Sequence, residues 1–298
     1  LRGKVVLVDF WTYSCINCLR TLPYEKELYD KYKDQGLVIV GVHTPEFAFE
    51  HVESNVADAV KRLGITYPVV LDNDYKTWGA FSNQYWPREY LIDMDGYVVY
   101  DHAGEGDYDK TESAVQAALA ERAARMGTTT MPMPSISASQ GPDLSGVGSP
   151  ETYFGSNRNE YLGNGTQGVA GVQTFTLPTT PSPNTLYLNG IWDTEPEYAE
   201  SQATGADTGG SANSIEYYYS AGNVYFVASA AAPVQVEVLL DGKPVGQWGG
   251  DDVDKTTSTV TIGAERLYSL VHTPGPGGHL LELKVKGSGL RAYTFTFG

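Results

Sequence analysis

The sequence predicts two domains of different class, an α/β domain followed by an all-β domain. A chain of 298 residues is too long for one ordinary compact core. Strand and helix patterns alternate up to residue 126, and from residue 151 onward the apolar residues show no convincing helical period. Residues 127–150 contain Thr-Thr-Thr, two Met-Pro pairs and several Gly, which is typical of a linker. We therefore predict domains at 1–126 and 151–298, joined by a linker at 127–150.

In the first domain, short β-branched runs predict buried strands, and apolar residues at helical spacing predict helices. Gly36 and Gly64 follow the first two helical patterns and act as stop signals. The order of elements predicts an α/β sheet with mixed pairing, which ends in a hairpin and a closing helix. The predicted strands are 4–10, 37–42, 68–71, 88–93 and 97–102, and the predicted helices are 18–34, 45–63, 75–81 and 111–126.

In the second domain, about eight to ten short strands without helices predict an antiparallel sandwich of the jelly-roll type. Alternating apolar and polar residues mark several of them as half-exposed strands, and Asp241-Gly242 marks a hairpin turn. The predicted strands are 152–154, 172–177, 185–188, 214–219, 224–228, 234–240, 257–262, 266–272, 279–286 and 291–297.

The formal net charge of −16 argues against binding to nucleic acid or to an anionic membrane surface, because both need clustered Lys and Arg. No apolar run reaches the roughly 20 residues that a membrane-spanning helix needs, and no signal peptide is visible. The first predicted strand begins close to Leu1. A chain that begins on a core strand looks like part of a longer protein. We therefore expect this domain to be tethered by an upstream membrane segment that lies outside the sequence.

The chain has two cysteines, Cys15 and Cys18, which form one Cys-x-x-Cys between a predicted strand and a predicted helix. A helix N-terminus offers free amides and partial positive charge, both of which favour a thiolate. We predict Cys15 as the exposed nucleophile and Cys18, one turn deeper, as the resolving thiol. A zinc site would need two more ligands, and the nearest histidine, His43, is alone. We therefore predict no metal and no cofactor other than the redox-active disulfide.

Three further positions belong to the predicted site. Burial of Asp9 in an apolar strand would raise the pKa of its carboxyl and let the carboxyl exchange a proton with Cys18. The alternative is that the Asp9 carboxyl only accepts hydrogen bonds from local amides. Trp11 is predicted to shield the site and contact substrate, and the alternative is a plain core aromatic. Trp86-Pro87 precedes a strand next to the cysteine loop, where a cis bond would present backbone groups to a substrate strand. An ordinary trans proline at a strand start is the alternative there.

These motifs resemble the thioredoxin superfamily. Residues 3–23 carry Asp six positions before the first cysteine, Phe-Trp after that Asp, and Pro five positions after the second cysteine. Residues 86–96 and the additional segment 44–71 resemble the extracytoplasmic TlpA-like branch. Trp-Thr-Tyr-Ser-Cys-Ile-Asn-Cys and residues 149–155 resemble DipZ-type proteins, in which a CcdA-like membrane domain precedes a thioredoxin-like domain and a β-sandwich.

The resemblance implies a thiol–disulfide oxidoreductase at the extracytoplasmic face of a bacterial cell membrane. In this interpretation a CcdA-like membrane domain donates electrons, and oxidised envelope proteins are the substrates. It implies Cys15 as nucleophile, Cys18 as resolving thiol, Asp9 as proton relay and Pro87 as a cis-proline. Ile16-Asn17 replaces the Gly-Pro of thioredoxin, so thioredoxin's reduction potential does not transfer to this chain. Trp86 is bulkier than the residue that many relatives carry there, and we expect it to narrow the substrate groove or stack on a partner.

The resemblance also implies a second domain shaped like a carbohydrate-binding module. Trp192, Asp193 and Trp248 are the candidate glycan contacts, because sugars stack on exposed aromatic rings and donate to carboxylates. Core packing of these aromatic residues is the alternative.

Two other functions remain open at this stage. A peroxidase of the peroxiredoxin kind shares the fold and the Thr44-Pro45-Glu46 type of loop, although the Pro-x-x-x-Thr-x-x-Cys pattern is missing around Cys15. An envelope binding or scaffold protein would use the sandwich to recognise a glycan or a protein, and that role is compatible with disulfide exchange.

Overall fold

The computed structural model describes residues 1–129, 136, 144–203 and 213–298. It divides into two compact units, Leu1–Pro142 and Asp143–Gly298. The division falls inside the segment 127–150 predicted as a linker. Much of that segment, 130–135 and 137–143, lies outside the described residues.

The first unit is an α/β domain around one five-stranded sheet. The strand order is β3-β2-β1-β4-β5, with β1 parallel to β2, β2 parallel to β3, and antiparallel pairing of β4 with both β1 and β5. This is the mixed sheet that the sequence predicts. The strands are β1 (Val5–Trp11), β2 (Leu37–His43), β3 (Val69–Leu71), β4 (Arg88–Ile92) and β5 (Val98–Ala103), and the helices are α1 (Ile16–Tyr32), α2 (Glu53–Leu63), α3 (Lys76–Ala80) and α4 (Tyr108–Met126).

Strand β1 lies at the centre of the sheet, and each of its seven residues is buried. Side chains alternate between the two faces of a strand, so β1 supplies two different packing surfaces. Val6, Val8 and Phe10 pack with Val42 and Tyr90 in one apolar cluster. The opposite face carries Asp9 and Trp11, and there the carboxyl of Asp9 meets Glu25 of α1.

The helix predicted at 45–63 is divided, and that prediction is wrong in its first part. A 3₁₀ turn (Ala48–His51) is followed by an extended Val52, and only then does α2 begin. The carboxyl of Glu50 explains the break, because Oε2 accepts hydrogen bonds from the backbone N–H groups of Glu46 and Phe47 at 2.6 and 3.0 Å. The side chain of Glu50 thus gives those two amides hydrogen-bond partners that do not require a helical backbone.

The second unit is all-β, and the predicted β-rich architecture is confirmed. Its strands are β6 (Thr152–Tyr153), β7 (Gly171–Phe175), β8 (Leu186–Thr194), β9 (Ala199–Ser201), β10 (Ser214–Ala230), β11 (Val234–Leu240), β12 (Lys243–Pro244), β13 (Thr259–Ile262), β14 (Arg266–Lys286) and β15 (Leu290–Phe297). The pairings between these strands are antiparallel. The jelly-roll description and the likeness to a carbohydrate-binding module stay predictions.

Long strands replace two predicted pairs of short ones in this unit. The patterns 214–219 and 224–228 are one strand, β10, and 266–272 with 279–286 are one strand, β14. Register shifts such as the one between Ala221 and Asn223 let β10 bend without ending. Strand β10 pairs with β8 at one end and with β15 at the other, and β9 joins β8 to β15. The core of this unit includes the aromatic residues Phe154, Tyr217, Phe226 and Phe295.

Candidate active site

Cys15 and Cys18 lie at the junction of β1 and α1. Cys15 is the N-cap of α1, and its Sγ accepts a hydrogen bond from the backbone N–H of Cys18 at 3.3 Å. Both thiols are free. Cys15 is partly exposed and Cys18 is buried, so only the first sulfur is open to a partner from solution. This is the arrangement that the sequence predicts for a nucleophile and a resolving thiol.

The surroundings of Cys18 oppose its ionisation. Burial raises the pKa of the Cys18 thiol well above its usual value, and the hydrogen bond with Cys15 and the charges of Cys15 and Asp9 raise it further. Loss of the Cys18 proton therefore needs a nearby group that accepts it.

Asp9 is buried on the face of β1 that meets α1, with 1% of its surface exposed. Burial raises the pKa of its carboxyl well above the usual range, and the neighbouring charges of Glu25 and Glu89 add to the effect. A hydrogen-bonding contact between the carboxyls of Asp9 and Glu25 also contributes, and it raises the pKa of Asp9 and lowers that of Glu25. Two carboxylates repel, so this contact requires a proton on one of them.

Glu25 and Glu89 complete a cluster of three buried carboxyls with Asp9. Burial and the charge of Glu89 raise the pKa of Glu25 to about 8, and Glu25 accepts a hydrogen bond from the hydroxyl of Tyr67 at 2.7 Å. Glu89 of β4 is the antiparallel partner of Asp9, and burial raises its pKa to about 7. Its Oε2 accepts a hydrogen bond from Thr111 Oγ1 at 2.9 Å.

Glu25 and Glu89 are not among the site residues predicted from the sequence, although the sequence carries a signal for each. Glu25 lies three residues from Leu22 and from Leu28, on the apolar face of the predicted helix. Glu89 interrupts a predicted buried strand. A charged residue on a buried face is a candidate for a shifted pKa.

Another buried carboxyl, Glu50, fixes the loop that leads from β1 to Cys15. Its Oε1 accepts hydrogen bonds from the hydroxyls of Thr12 and Ser14, the latter at 2.6 Å. Burial raises the pKa of Glu50 to about 7. His43 lies 3.3 Å from Thr12 through Nε2, and burial lowers its pKa to about 4, so its ring is neutral at pH 7.

An ion pair fixes the other side of the cysteine loop. The guanidinium of Arg20 donates to both carboxylate oxygens of Glu105 at 2.8 and 2.6 Å, and also to Asn17 Oδ1 at 2.7 Å. In the same loop as Glu105, the N–H of Gly104 donates to the carbonyl of Pro87 at 2.9 Å. The dipeptide between the cysteines is therefore connected to the segment that carries Pro87.

The Trp86–Pro87 peptide bond is cis, as the resemblance implies. Trp86 is half-buried, and its Nε1 donates to the carbonyl of Thr44 at 3.1 Å. Its ring lies 4.3 Å from that of Trp78 between centroids, and Tyr85 next to it is 52% exposed. The structure thus places a partly accessible aromatic surface beside Pro87, and the role of Trp86 and Pro87 in binding substrate stays a prediction.

The prediction that Trp11 contacts substrate is wrong. Its side chain has no exposed surface. The ring packs edge-on against His43 at 5.3 Å, and a Cβ added to Gly41 would come within 2.9 Å of Trp11 Nε1. Trp11 lies on the inner face of the central strand β1 and packs in the core, which is the alternative prediction for this residue.

The predicted glycan contacts do not form one site. Trp192 lies in β8 between β7 and β9, is fully buried, and donates from Nε1 to the carbonyl of Asn189 at 2.8 Å, so its predicted stacking role is wrong. Asp193 is half-exposed in the same strand. Trp248 is 37% exposed and lines a cavity of about 550 Å³ with Asp241, Lys243 and His279, and Asp193 does not line it.

Comparison with known protein families identifies both units. Residues 1–119 match the Redoxin family, and residues 149–298, half of the chain, match the family described as a thioredoxin-like C-terminal domain. The chain belongs to the thioredoxin-like family of thiol–disulfide oxidoreductases. Among its relatives is the thiol-disulfide oxidoreductase YkuV of Bacillus subtilis, which is 33% identical over 118 residues, or 40% of this chain and 79% of YkuV.

The whole chain is also similar to Protein DipZ of Mycobacterium bovis, with 38% identity over 301 residues. The alignment covers all of this chain and 39% of DipZ, so the chain spans about two fifths of that relative. The solution structure of a thioredoxin-like protein in its oxidised form is 32% identical, with a TM-score of 0.37 over 40% of this chain and 79% of that protein. None of the described helices is both long and apolar enough to cross a membrane.

The buried carboxyls predict that the first unit loses stability as pH rises. The folded pKa values of Glu25 and Glu89 are raised from 4.5 to about 8 and about 7, so between pH 4.5 and 8 the folded chain binds more protons than the unfolded chain. Each such proton contributes a slope of up to about −1.4 kcal/mol per pH unit to the free energy of unfolding. Glu25→Gln should flatten this dependence.

Alkylation of Cys18 measures this unit alone. In a Cys15→Ser background, Cys18 is the one remaining thiol and is buried, so its labelling across a denaturant series reports unfolding around it. Glu27→Gln, an exposed change on the same helix, is the control and should leave the pH dependence intact. An unchanged slope in Glu25→Gln would contradict this account of the cluster.

Proposed function

We propose that this chain reduces or exchanges disulfides of extracytoplasmic proteins through Cys15 and Cys18. The observation that carries the proposal is the pairing of a partly exposed Cys15 at a helix N-terminus with a buried Cys18 beside buried carboxyls. An exposed sulfur can attack a partner, and a buried one is reserved for the intramolecular step.

The reaction proceeds in two exchanges. The thiolate of Cys15 attacks one sulfur of a substrate disulfide, which forms a mixed disulfide and releases the other substrate sulfur as a thiolate that takes up a proton. Cys18 then gives its proton to Asp9 and attacks Sγ of Cys15, which forms the Cys15–Cys18 disulfide and releases the second substrate sulfur as a thiolate that takes up a proton from solvent. The substrate gains two electrons, and the cysteine pair loses them.

The segment around Pro87 is the proposed docking surface for the substrate chain. The exposed Tyr85 and the half-buried Trp86 offer aromatic surface beside it, and the Arg20–Glu105 pair keeps the loop behind Pro87 next to Asn17. A substrate strand laid along this segment would bring its disulfide to Cys15.

Single substitutions separate the two exchanges. Cys15→Ser should abolish reduction of a protein disulfide, because no nucleophile is left at the surface. Cys18→Ser should retain the first attack and accumulate a mixed disulfide, which non-reducing electrophoresis with an oxidised substrate protein detects. Turnover by the Cys15→Ser variant would contradict the assignment, and consumption of peroxide faster than of protein disulfides would favour the peroxidase alternative.

The likeness to DipZ over the whole chain supports an electron donor in the membrane. We propose that a CcdA-like membrane domain reduces Cys15–Cys18 on the outer face of a bacterial membrane. When the chain is exported behind a membrane anchor, thiol trapping should find its cysteine pair mainly reduced beside an intact CcdA-like domain, and mainly oxidised beside one whose cysteines are changed to serine. Equal oxidation in the two strains would contradict the partnership.

A second proposed activity, glycan binding, concerns the all-β unit. Trp248 combines an exposed ring with Asp241, Lys243 and His279 at one cavity, and these side chains suit the stacking and hydrogen bonding that a sugar requires. Trp248→Ala should weaken binding of an envelope oligosaccharide about threefold to tenfold in calorimetric titration of the full chain.

Tyr218→Ala is the matched control, because Tyr218 is similarly exposed at 36% and does not line the cavity. Equal affinity of the Trp248→Ala variant and the unmodified chain would reject this site, as would an absence of binding across a panel of envelope oligosaccharides.

A further inference from the structure

The carboxyl cluster holds protons but lies away from solvent. Asp9, Glu25 and Glu89 are each 1–2% exposed. Within the described residues, Oδ1 of Asp9, Oε1 of Glu25 and Oε1 of Glu89 accept no hydrogen bond from an N–H or hydroxyl group. In the proposed reaction Cys18 delivers one proton to this cluster per turnover, so the cluster needs a way to release it.

Two hydroxyls connect the cluster to the surface. Thr111 Oγ1 donates to Glu89 Oε2 at 2.9 Å, and it lies 3.2 Å from the hydroxyl of Tyr100. A threonine hydroxyl has one proton, which Thr111 gives to Glu89, so Tyr100 is the donor in the second bond. Thr111 is fully buried, whereas Tyr100 on β5 is only half-buried. The chain of hydrogen bonds therefore runs in one direction, from the surface to Glu89.

We propose that Glu89, Thr111 and Tyr100 form a proton route between Asp9 and solvent, separate from the opening at Cys15. The proposal rests on the disulfide exchange proposed above. Asp9 passes the Cys18 proton to Glu89, its partner across the β1–β4 pair. Once Glu89 carries this proton, the two hydroxyls reverse their hydrogen bonds: Glu89 donates to Thr111, Thr111 donates to Tyr100, and Tyr100 gives one proton to solvent. Both hydroxyls then turn back to the arrangement in which they donate towards Glu89. Glu25, which shares a proton with Asp9 and contacts the buried Tyr67, acts as a store beside the route.

Other titratable groups surround the route, but among the described residues their hydrogen bonds form no second path to solvent. Burial raises the pKa values of the neighbouring tyrosines, so their hydroxyls stay protonated at neutral pH. The groups that face the carboxyls come from four places in the unit. They are Cys15, Cys18 and Tyr24 at α1; Tyr67 between α2 and β3; Tyr100 and His102 on β5; and Tyr108 and Glu112 on α4.

Release of two coloured thiols from an aromatic disulfide reagent separates the steps in the full reduced chain. The first release reports attack by Cys15, and the second reports attack by Cys18 on the mixed disulfide. Near pH 7, Thr111→Val and Tyr100→Phe should slow the second release about tenfold and leave the first unchanged. The reason is that Asp9 and Glu25 already share a proton, so Asp9 can accept the Cys18 proton only as the cluster gives one up through the route. Glu89→Gln should have at least the same effect.

Conservative variants exclude a merely structural effect. Thr111→Ser keeps the hydroxyl and should restore the second release, and Tyr97→Phe, an exposed change in the same hairpin, should match the unmodified chain. If the first release is absent from the unmodified chain, the disulfide exchange itself is refuted. If the first release is normal and the second is equally fast in Thr111→Val and Tyr100→Phe, the route is overturned, whatever the result for Glu89→Gln.

Discussion

The antiparallel pairing of β1 with β4 places Asp9 opposite Glu89 inside the first unit, and α1 adds Glu25 beside them. Three carboxyls that share one buried space cannot all be ionised, because each charge is poorly solvated and repels the others. Protons therefore remain in this cluster at neutral pH. The arrangement reduces stability as pH rises, and it keeps a proton acceptor under the buried sulfur of Cys18.

Glu50 shows that burial alone does not make a carboxyl available for chemistry. Its two oxygens accept hydrogen bonds from two hydroxyls and two backbone amides. A carboxyl with four donors is held in one position and stabilises the loops around it. Asp9, Glu25 and Glu89 each keep an oxygen without such a donor. The difference in hydrogen bonding thus separates a structural carboxyl from those able to exchange protons, although burial raises the pKa in all four.

Local patterns in the sequence predict the order of elements in the first unit, the exposure of Cys15 and the burial of Asp9 and Cys18. They fail where a distant residue decides the outcome. The helix predicted at 45–63 breaks because Glu50 accepts hydrogen bonds from the amides of Glu46 and Phe47, while hydroxyls 36 and 38 positions earlier hold its other oxygen. The strand predicted at 185–188 continues through Trp192 to Thr194 because β7 and β9 pair with this stretch, and the ring of Trp192 is buried there. The carboxyl cluster likewise depends on the pairing of β1 with β4, which no single segment reveals.

The residues of the exchange site lie between Asp9 and Thr111, and none comes from the all-β unit. We therefore look for the contribution of the all-β unit on its own surface. Two tryptophans of the all-β unit differ in their exposure and surroundings. Trp192 satisfies its N–H within β8 and stabilises a core, whereas Trp248 keeps more than a third of its surface open beside charged side chains. Trp248 differs from the similarly exposed Tyr218 because its ring lines a cavity together with charged side chains, and this combination is why we propose Trp248 as the ligand contact of this unit.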